Sequence, residues 1–110
     1  MARKTLQRPY ADGVMYLYMR SGQSNPRTVS DLIPDGKLCF DYRNIRQEDY
    51  EFAEQMDKHL TVKVSAPLRK DITTNHLAII DNVLYAIIQI DPDRAAKEMF
   101  FYLTEVRKIA

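Results

Sequence analysis

The chain contains few residues that could carry out catalysis. Cys39 is its one cysteine, and the two histidines, His59 and His76, lack the H-x-x-x-H spacing of a helical metal site. A cysteine nucleophile needs a neighbouring base, and a Cys39–His76 pair would supply that chemistry. A partly buried cysteine without such reactivity is the commoner situation, and it is the one favoured here.

A metal site is the second chemistry to consider. Asp91, Asp93 and Glu98 could together offer carboxylates to a hard cation. The Asp-Pro-Asp sequence is more typical of a turn, and the spacing of a calcium-binding loop is missing. The chain also lacks a glycine-rich phosphate loop and a serine nucleophile elbow. We therefore expect neither enzymatic activity nor a bound cofactor.

Aromatic side chains raise the question of nucleic-acid binding. The seven tyrosines and four phenylalanines could stack on unpaired bases, and four of them would then be exposed beside Lys or Arg: Tyr16, Tyr18, Phe100 and Tyr102. However, the aromatic residues alternate with aliphatic ones, as in packed strands. Lys and Arg number 16 against 15 Asp and Glu, so the net charge of +1 lacks the basic excess of most nucleic-acid binders.

Length and composition indicate one globular domain over residues 1–110. Apolar residues make up 45% of the chain and charged residues 28%, which is enough for a core. A single cysteine excludes an internal disulfide and a zinc site built from cysteines. No apolar run is long enough for a transmembrane helix, and the N-terminus has no signal-peptide pattern. We expect the chain to fold in a reducing cytoplasm.

Alternation of apolar and polar residues predicts six strands, over residues 14–19, 37–43, 60–66, 76–80, 83–90 and 98–107. In the third, Leu60, Val62, Val64 and Ala66 should face inward and Thr61, Lys63 and Ser65 outward. Asp81-Asn82 predicts a tight hairpin, since both residues tolerate positive φ. Residues 91–97 are interpreted as a turn. Residues 95–107 also have roughly helical spacing, but their aromatic content favours a strand.

A helix is predicted over residues 45–58. Asn44 is a suitable N-cap, and Gln47 has the capping-box spacing. An apolar stripe should bind the helix to the sheet: Tyr50, Phe52, Ala53 and Met56. The opposite side carries three acids, Glu48, Glu51 and Glu54. Those acids form either a patch for a basic partner or an ordinary solvated face.

Two polar segments complete the chain. Residues 1–12, with Arg3, Lys4 and Arg8, suggest a flexible arm. Residues 20–36 suggest a long loop, because they contain two prolines and end in Asp35-Gly36. A loop of this length either docks a neighbour or is mobile.

Together these elements predict a mainly β (α+β) fold. The order is a strand, a long loop, a strand, a helix and four more strands. It indicates a small antiparallel β-barrel or sandwich with one inserted short helix. An open barrel would leave strand edges available to a partner or to identical subunits.

This order resembles the head-tail joining family of tailed phages, also called head-closure, head-completion or stopper proteins. The resemblance covers roughly residues 12–107 and is carried by the order of segments rather than by one motif. Its N-terminal part is Asp-Gly-Val-Met-Tyr-Leu-Tyr from residue 12, the stretch 35–46 and the acidic helix 47–55. Its C-terminal part is formed by residues 60–64, 82–91 and 100–106.

The resemblance implies a structural protein of the virion neck in a phage or prophage. Such a protein would form a ring below the portal and adaptor, bind the tail or a tail-completion protein, and help to retain packaged DNA. A loop of the family lies at the central channel, and five residues would correspond to it here: Arg20, Gln23, Asn25, Arg27 and Asp31. Contact with DNA there would not be sequence-specific.

Alternative functions remain at this point. Relatives of similar size are tail-completion or minor tail components. A small nucleic-acid-binding barrel and an enzyme using Cys39 and His76 belong to other functional classes.

Overall fold

The computed structural model describes residues 10–20 and 29–109, which form six strands, one α-helix and one short 3-10 helix. The strands are β1 (Gly13–Arg20), β2 (Leu32–Arg43), β3 (Val62–Pro67), β4 (Leu77–Ile80), β5 (Val83–Asp93) and β6 (Glu98–Lys108). Helix α1 spans Gln47–Gln55, and the 3-10 helix spans Val29–Asp31. Neither helix has the length and apolar content that crossing a bilayer requires.

The six strands form a closed antiparallel barrel in the order β1-β2-β3-β6-β5-β4. Pairing of β4 with β1 closes it, through Tyr16 with Ile79 and Tyr18 with Leu77. The predicted mainly β fold is therefore confirmed. The expected open barrel is wrong, because every strand of the described chain has a neighbour on both sides. In this circular order β1 and β6 lie opposite each other.

Alternate side chains of the strands fill the interior of the barrel. They include Met15 and Leu17 from β1, Phe40 from β2, Val64 from β3 and Phe101 from β6, all almost inaccessible to solvent. Ile72, from the largely polar segment between β3 and β4, is buried with them. A second apolar cluster lies outside the barrel, where the 3-10 helix and the chain end near Ile109 cover β4 and β5.

The C-terminal half follows the sequence pattern closely. Asp81 and Asn82 have φ values of 50° and 65°, so the predicted tight hairpin is confirmed. Residues 98–108 form β6, which confirms the strand over the helical alternative. The predicted turn over 91–97 is too long, because β5 continues to Asp93 and pairs there with Glu98. The chain reverses over residues 94–97, where Lys97 has a φ of 55°.

The predicted loop over 20–36 is shorter in the structure. Arg20 belongs to β1 and pairs with Leu32, so residues 32–36 belong to β2. Asp35-Gly36 forms a bulge rather than a turn, because residues 16–18 of β1 oppose residues 34–37 of β2. Gly36 has a φ of 94° there, and this is a conformation that glycine adopts readily.

The flexible arm was predicted over residues 1–12. Its residues 1–9 lie outside the described part of the chain. The following residues are attached to β2 and β6. The Ala11 N–H donates to Asp41 Oδ1 at 2.9 Å, and the Asp12 N–H donates to the Phe40 carbonyl at 3.0 Å. The Tyr10 hydroxyl donates to Glu98 Oε2 at 2.9 Å.

Helix α1 begins and ends inside the predicted range of 45–58. Its N-cap is Arg46 rather than Asn44, and Asp49 rather than Gln47 completes the capping box. The Arg46 N–H donates to Asp49 Oδ2 at 3.0 Å. The helix ends at Gln55, and Asp57 then adopts a φ of 56°, which turns the chain towards β3. An aspartate at the third helical position can accept the N-cap N–H as a glutamate would. The capping-box pattern used for the prediction did not include this aspartate.

Candidate interaction surfaces

Helix α1 packs on the outer face of the barrel through a small contact. Ala53 is 2% exposed and lies in a cluster with Leu60, Ile88 and Tyr102. The predicted apolar stripe is therefore wrong for its other three members, since Tyr50, Phe52 and Met56 are 42%, 38% and 42% exposed. Glu48, Glu51 and Glu54 are exposed on the same helix. We call these six exposed residues the helix patch.

A buried ion pair attaches the start of α1 to the barrel. Lys63 Nζ donates to Asp49 Oδ2 at 3.0 Å, and both side chains are almost fully buried. The outward direction predicted for Lys63 agrees with the register, but the expected exposure is wrong because α1 covers it. Ser65, also expected to be exposed, accepts a hydrogen bond from Arg43 Nε at 2.8 Å and is fully buried.

The carboxyl of Asp49 stays ionised in this buried position. Burial acts to raise its pKa, but hydrogen bonds from the Arg46 N–H, Lys63 and the Arg46 side chain outweigh that effect and lower the pKa below its ordinary value. Lys63 Nζ also lies 5.1 Å from the centre of the Tyr102 ring and 5.7 Å from that of Phe100. The electron-rich ring faces favour the ammonium charge.

The far end of the β1–β2 pair carries a second apolar surface. Met19 and Ile33 are cross-strand partners that are 48% and 50% exposed, and Tyr16 is exposed on the same strand pair. Two cations, Arg20 and Lys37, are exposed on the same two strands. We call these five residues the hairpin patch.

Only two of the five predicted channel-loop residues can be located. Arg20 ends β1 and Asp31 ends the 3-10 helix. Gln23, Asn25 and Arg27 lie outside the described residues.

A third surface combines cations and aromatic rings. An open pocket of about 470 Å³ lies between β2, β3, β6 and the start of α1, and its lining includes Tyr42, Arg43, Arg46, Lys63, Phe100 and Tyr102. Every cation of the pocket already has a carboxylate partner. Arg43 Nη2 is 3.2 Å from Glu98 Oε2, and Arg46 Nη2 is 3.5 Å from Asp49 Oδ1.

The aromatic platform predicted from the sequence is not formed as one surface. Tyr102 is buried and Phe100 is half-buried at the pocket, whereas Tyr16 and Tyr18 lie on β1 across the barrel. Tyr42 is half exposed and contributes to the lining, but it pairs with Val64 of the core and therefore lies on the inner face of β2. Phe40 fills the barrel, and its ring meets the Tyr42 ring edge to face at 5.0 Å.

His76 belongs to a polar cluster that attaches the β3–β4 segment to the bulge of β2. The Thr73 N–H donates to His76 Nδ1 at 3.2 Å, so in the neutral ring the proton lies on Nε2, which donates to Asp35 Oδ2 at 2.6 Å. Arg69 donates to the Asp35 carbonyl at 2.6 Å and to Asp35 Oδ1 at 3.1 Å. The hydrogen bond from His76 lowers the pKa of Asp35; partial burial opposes this, and Arg69 lowers it further.

Both ring nitrogens of His76 are therefore hydrogen-bonded to residues other than Cys39. Cys39 is an exposed residue of β2 opposite Val14. Glu98 binds Arg43 and Tyr10, while Asp93 Oδ1 accepts the Ala96 N–H, so these carboxylates have structural partners. Across residues 10–20 and 29–109, no group of three or more His, Cys, Asp or Glu side chains is arranged to hold a metal ion.

The chain matches no protein-family model, and it matches no curated protein.

Proposed function

We propose that the protein is a structural subunit of the virion neck of a tailed phage, a head-closure or head-tail connector protein. In this role it forms a ring that joins the portal and adaptor to the tail and helps to retain the packaged DNA. It works through surface contacts rather than catalysis. The related placement as a tail-completion or minor tail component uses the same surfaces.

The observation that supports this proposal best is the pair of apolar patches on different faces of the barrel. Helix α1 packs over residues of β3, β5 and β6, whereas the hairpin patch lies on β1 and β2. Because β1 lies opposite β6 in the circular strand order, the two patches lie on different faces of the barrel. Exposed apolar side chains grouped in this way are typical of interaction surfaces.

The charges of the two patches are complementary. The helix patch carries three glutamates, and the hairpin patch carries Arg20 and Lys37. A helix patch of one subunit can therefore meet the hairpin patch of the next through both apolar contacts and ion pairs. Repeated contacts between two different surfaces generate a ring when the rotation closes. The net charge of +1 keeps repulsion between the copies small.

The fold agrees with what the resemblance implies. A six-stranded antiparallel barrel with a helix between its second and third strands is the expected architecture. The segment predicted to reach the channel lies between Arg20, the last residue of β1, and Val29, the first residue of the 3-10 helix. It therefore connects the two strands that carry the hairpin patch. A ring built through the hairpin patch would bring many copies of this segment together.

Deletion of the gene from the phage or prophage that carries it tests this proposal. Electron microscopy of the lysate should show filled or leaking heads and separate tails, with few complete virions. Expression of the intact chain from a plasmid should restore joined particles. Normal virions at normal titre after deletion would overturn the proposal. Portal and capsid genes upstream and tail genes downstream would support it independently.

A second candidate is a small nucleic-acid-binding barrel. The pocket of Tyr42, Arg43, Arg46, Lys63, Phe100 and Tyr102 favours it, since rings and cations together can hold a base and its phosphate. The carboxylate partners of the cations weaken it. Fluorescence titration with a labelled single-stranded oligonucleotide at low salt distinguishes the two. Binding that Arg46→Glu abolishes supports this candidate, and an absence of binding removes it.

A further inference from the structure

Strand β5 is longer than its neighbour β4, and this leaves part of its edge without a strand. β4 pairs with β5 only from Val83 to Ala86, whereas β5 continues to Asp93. On its other side β5 pairs with β6 along almost its whole length. Residues 87–93 therefore lack a strand partner on the β4 side within the described chain. Backbone groups on such an edge can pair with an added strand.

A groove runs along this free edge. Its volume is about 320 Å³, and it separates β5 from the polar segment between β3 and β4. Ile72, Ile90 and Met99 contribute to an apolar floor, and Arg69, Lys70 and Arg94 contribute cations to its rim. No Asp or Glu of the described residues lines it. The groove thus combines apolar burial with positive charge.

Two of these three cations are not neutralised inside the protein. Arg69 binds Asp35 and Asp71, with nitrogen–oxygen distances of 3.1 and 2.8 Å. Lys70 and Arg94 are exposed and form no ion pair with another described residue. A ligand carrying carboxylates would meet these two charges at the rim. The desolvation cost is low there, because both side chains are in contact with solvent.

The polar segments of the chain itself do not have the chemistry to occupy this groove. Residues 1–9 and 21–28 contain the cations Arg3, Lys4, Arg8 and Arg27 and no acid. The one strongly acidic segment is helix α1, which is packed against the barrel through Ala53 and the Asp49–Lys63 pair. None of these segments offers an extended acidic strand, and a partner protein can supply one.

We propose that the groove binds an extended acidic segment of a partner protein by strand addition to β5. Side chains of an added strand alternate in direction, so apolar residues can face Ile90 and Met99 while acidic residues approach Lys70 and Arg94. Pro92 has no N–H to donate, which limits pairing to a short stretch around Gln89 and Ile90. This inference does not depend on the proposed function, because it concerns a different surface.

A synthetic peptide tests the proposal directly. The probe is a fluorescein-labelled octapeptide that alternates isoleucine or valine with glutamate or aspartate, and its binding is followed by fluorescence anisotropy up to 1 mM. The intact protein should bind it, and a peptide with lysines in place of the acids should not bind. The K70E/R94E variant should bind the acidic peptide about tenfold more weakly or worse, since two attractive charges become repulsive. The matched K58E/K108E variant, changed at exposed lysines outside the groove, should bind normally.

Backbone pairing with β5 can be tested separately from the effect of charge. N-methylation of alternate peptide amides removes backbone donors without changing the charge, and it should abolish binding if the donors pair with β5. Hydrogen exchange at Gln89 and Ile90 should slow when the unmodified peptide is bound. Absence of binding at 1 mM, equal binding by K70E/R94E, or equal binding of the lysine peptide would overturn the proposal. Undiminished binding of the methylated peptide would overturn strand addition.

Discussion

Lys63 is the buried cation on which the attachment of helix α1 depends. Its ammonium group lies 3.0 Å from Asp49 and near the faces of two aromatic rings. The carboxyl of Asp49 also caps the helix by accepting the Arg46 N–H. A single contact therefore links strand, helix start and the aromatic outer face of β6, and removing one partner should affect all three.

The Lys63→Met variant should lose about 3 kcal/mol of unfolding free energy, because it leaves an ionised carboxyl buried without its cation. Urea denaturation followed by circular dichroism measures this loss. The double variant K63M/D49N removes the charge as well and keeps an oxygen for the helix cap, so it should be more stable than K63M. A single variant as stable as the wild type would contradict this role of the ion pair.

Asp35 should make stability dependent on pH in the acid range. Its pKa in the folded protein lies below the ordinary value of 3.8, chiefly because His76 donates to it. The lowered pKa stabilises the fold above pH 3.8, and that contribution disappears as the pH falls through the lower folded value. Asp35→Asn should be less stable than the wild type at pH 5 and approach it near pH 2, as urea titrations at each pH would reveal. A constant difference from pH 5 to pH 2 would contradict the assignment.

Gly36 sets the shape of the β1–β2 pair at the element scale. Its φ of 94° is costly for other residues, and a Cβ there would lie 2.7 Å from Arg69 Nη1. Gly36→Ala should therefore lower the unfolding free energy by about 1–2 kcal/mol. The same change in an Arg69→Ala background removes the contact and leaves the backbone strain, so its cost should be smaller. Equal costs in the two backgrounds would assign the whole effect to the backbone.

Most elements of the barrel could be predicted from alternation because each strand has one face in the core. Val64 and Ala66 in β3 and the hairpin at Asp81-Asn82 follow local rules that tertiary contacts do not override. The bulge at Asp35-Gly36 could not be distinguished from a turn, since both use the same residues. The decisive contact comes from Arg69, which is 33 residues away from Gly36 in the chain.

The surfaces were harder to predict than the strands. Tyr50, Phe52 and Met56 have the spacing of a buried stripe, yet α1 rests on Ala53 and the small contact leaves them exposed. Exposure of the three acids follows from helical geometry alone. The groove beside β5 exists because β5 is longer than β4, and the sequence pattern does not determine that difference.

At the scale of the whole molecule, the proposed ring requires that the two patches attract each other. The variant E48K/E51K/E54K should fail to restore joined virions in a phage lacking the gene, because positive charges would then face Arg20 and Lys37. Plaque counts after complementation measure the defect. Adding R20E/K37E to the same chain should restore part of the titre, since the charges are again opposite.

Folding controls make this result interpretable. The variant E105K changes an exposed acid outside both patches and should complement normally. Circular dichroism should give the same melting temperature for the patch variants and the wild type within a few degrees. Full complementation by E48K/E51K/E54K would contradict the proposed contact between subunits.

The position of β6 in the barrel has a consequence for the synthesis of the protein. β6 follows β3 and β5 in the chain, yet it lies between them and joins them. Until it has left the ribosome, β3 and β5 have no partner on that side, and the apolar cluster around Val64 and Ile87 is open to water. The barrel can close only after β6 has emerged, so the nascent chain would need protection from aggregation until then.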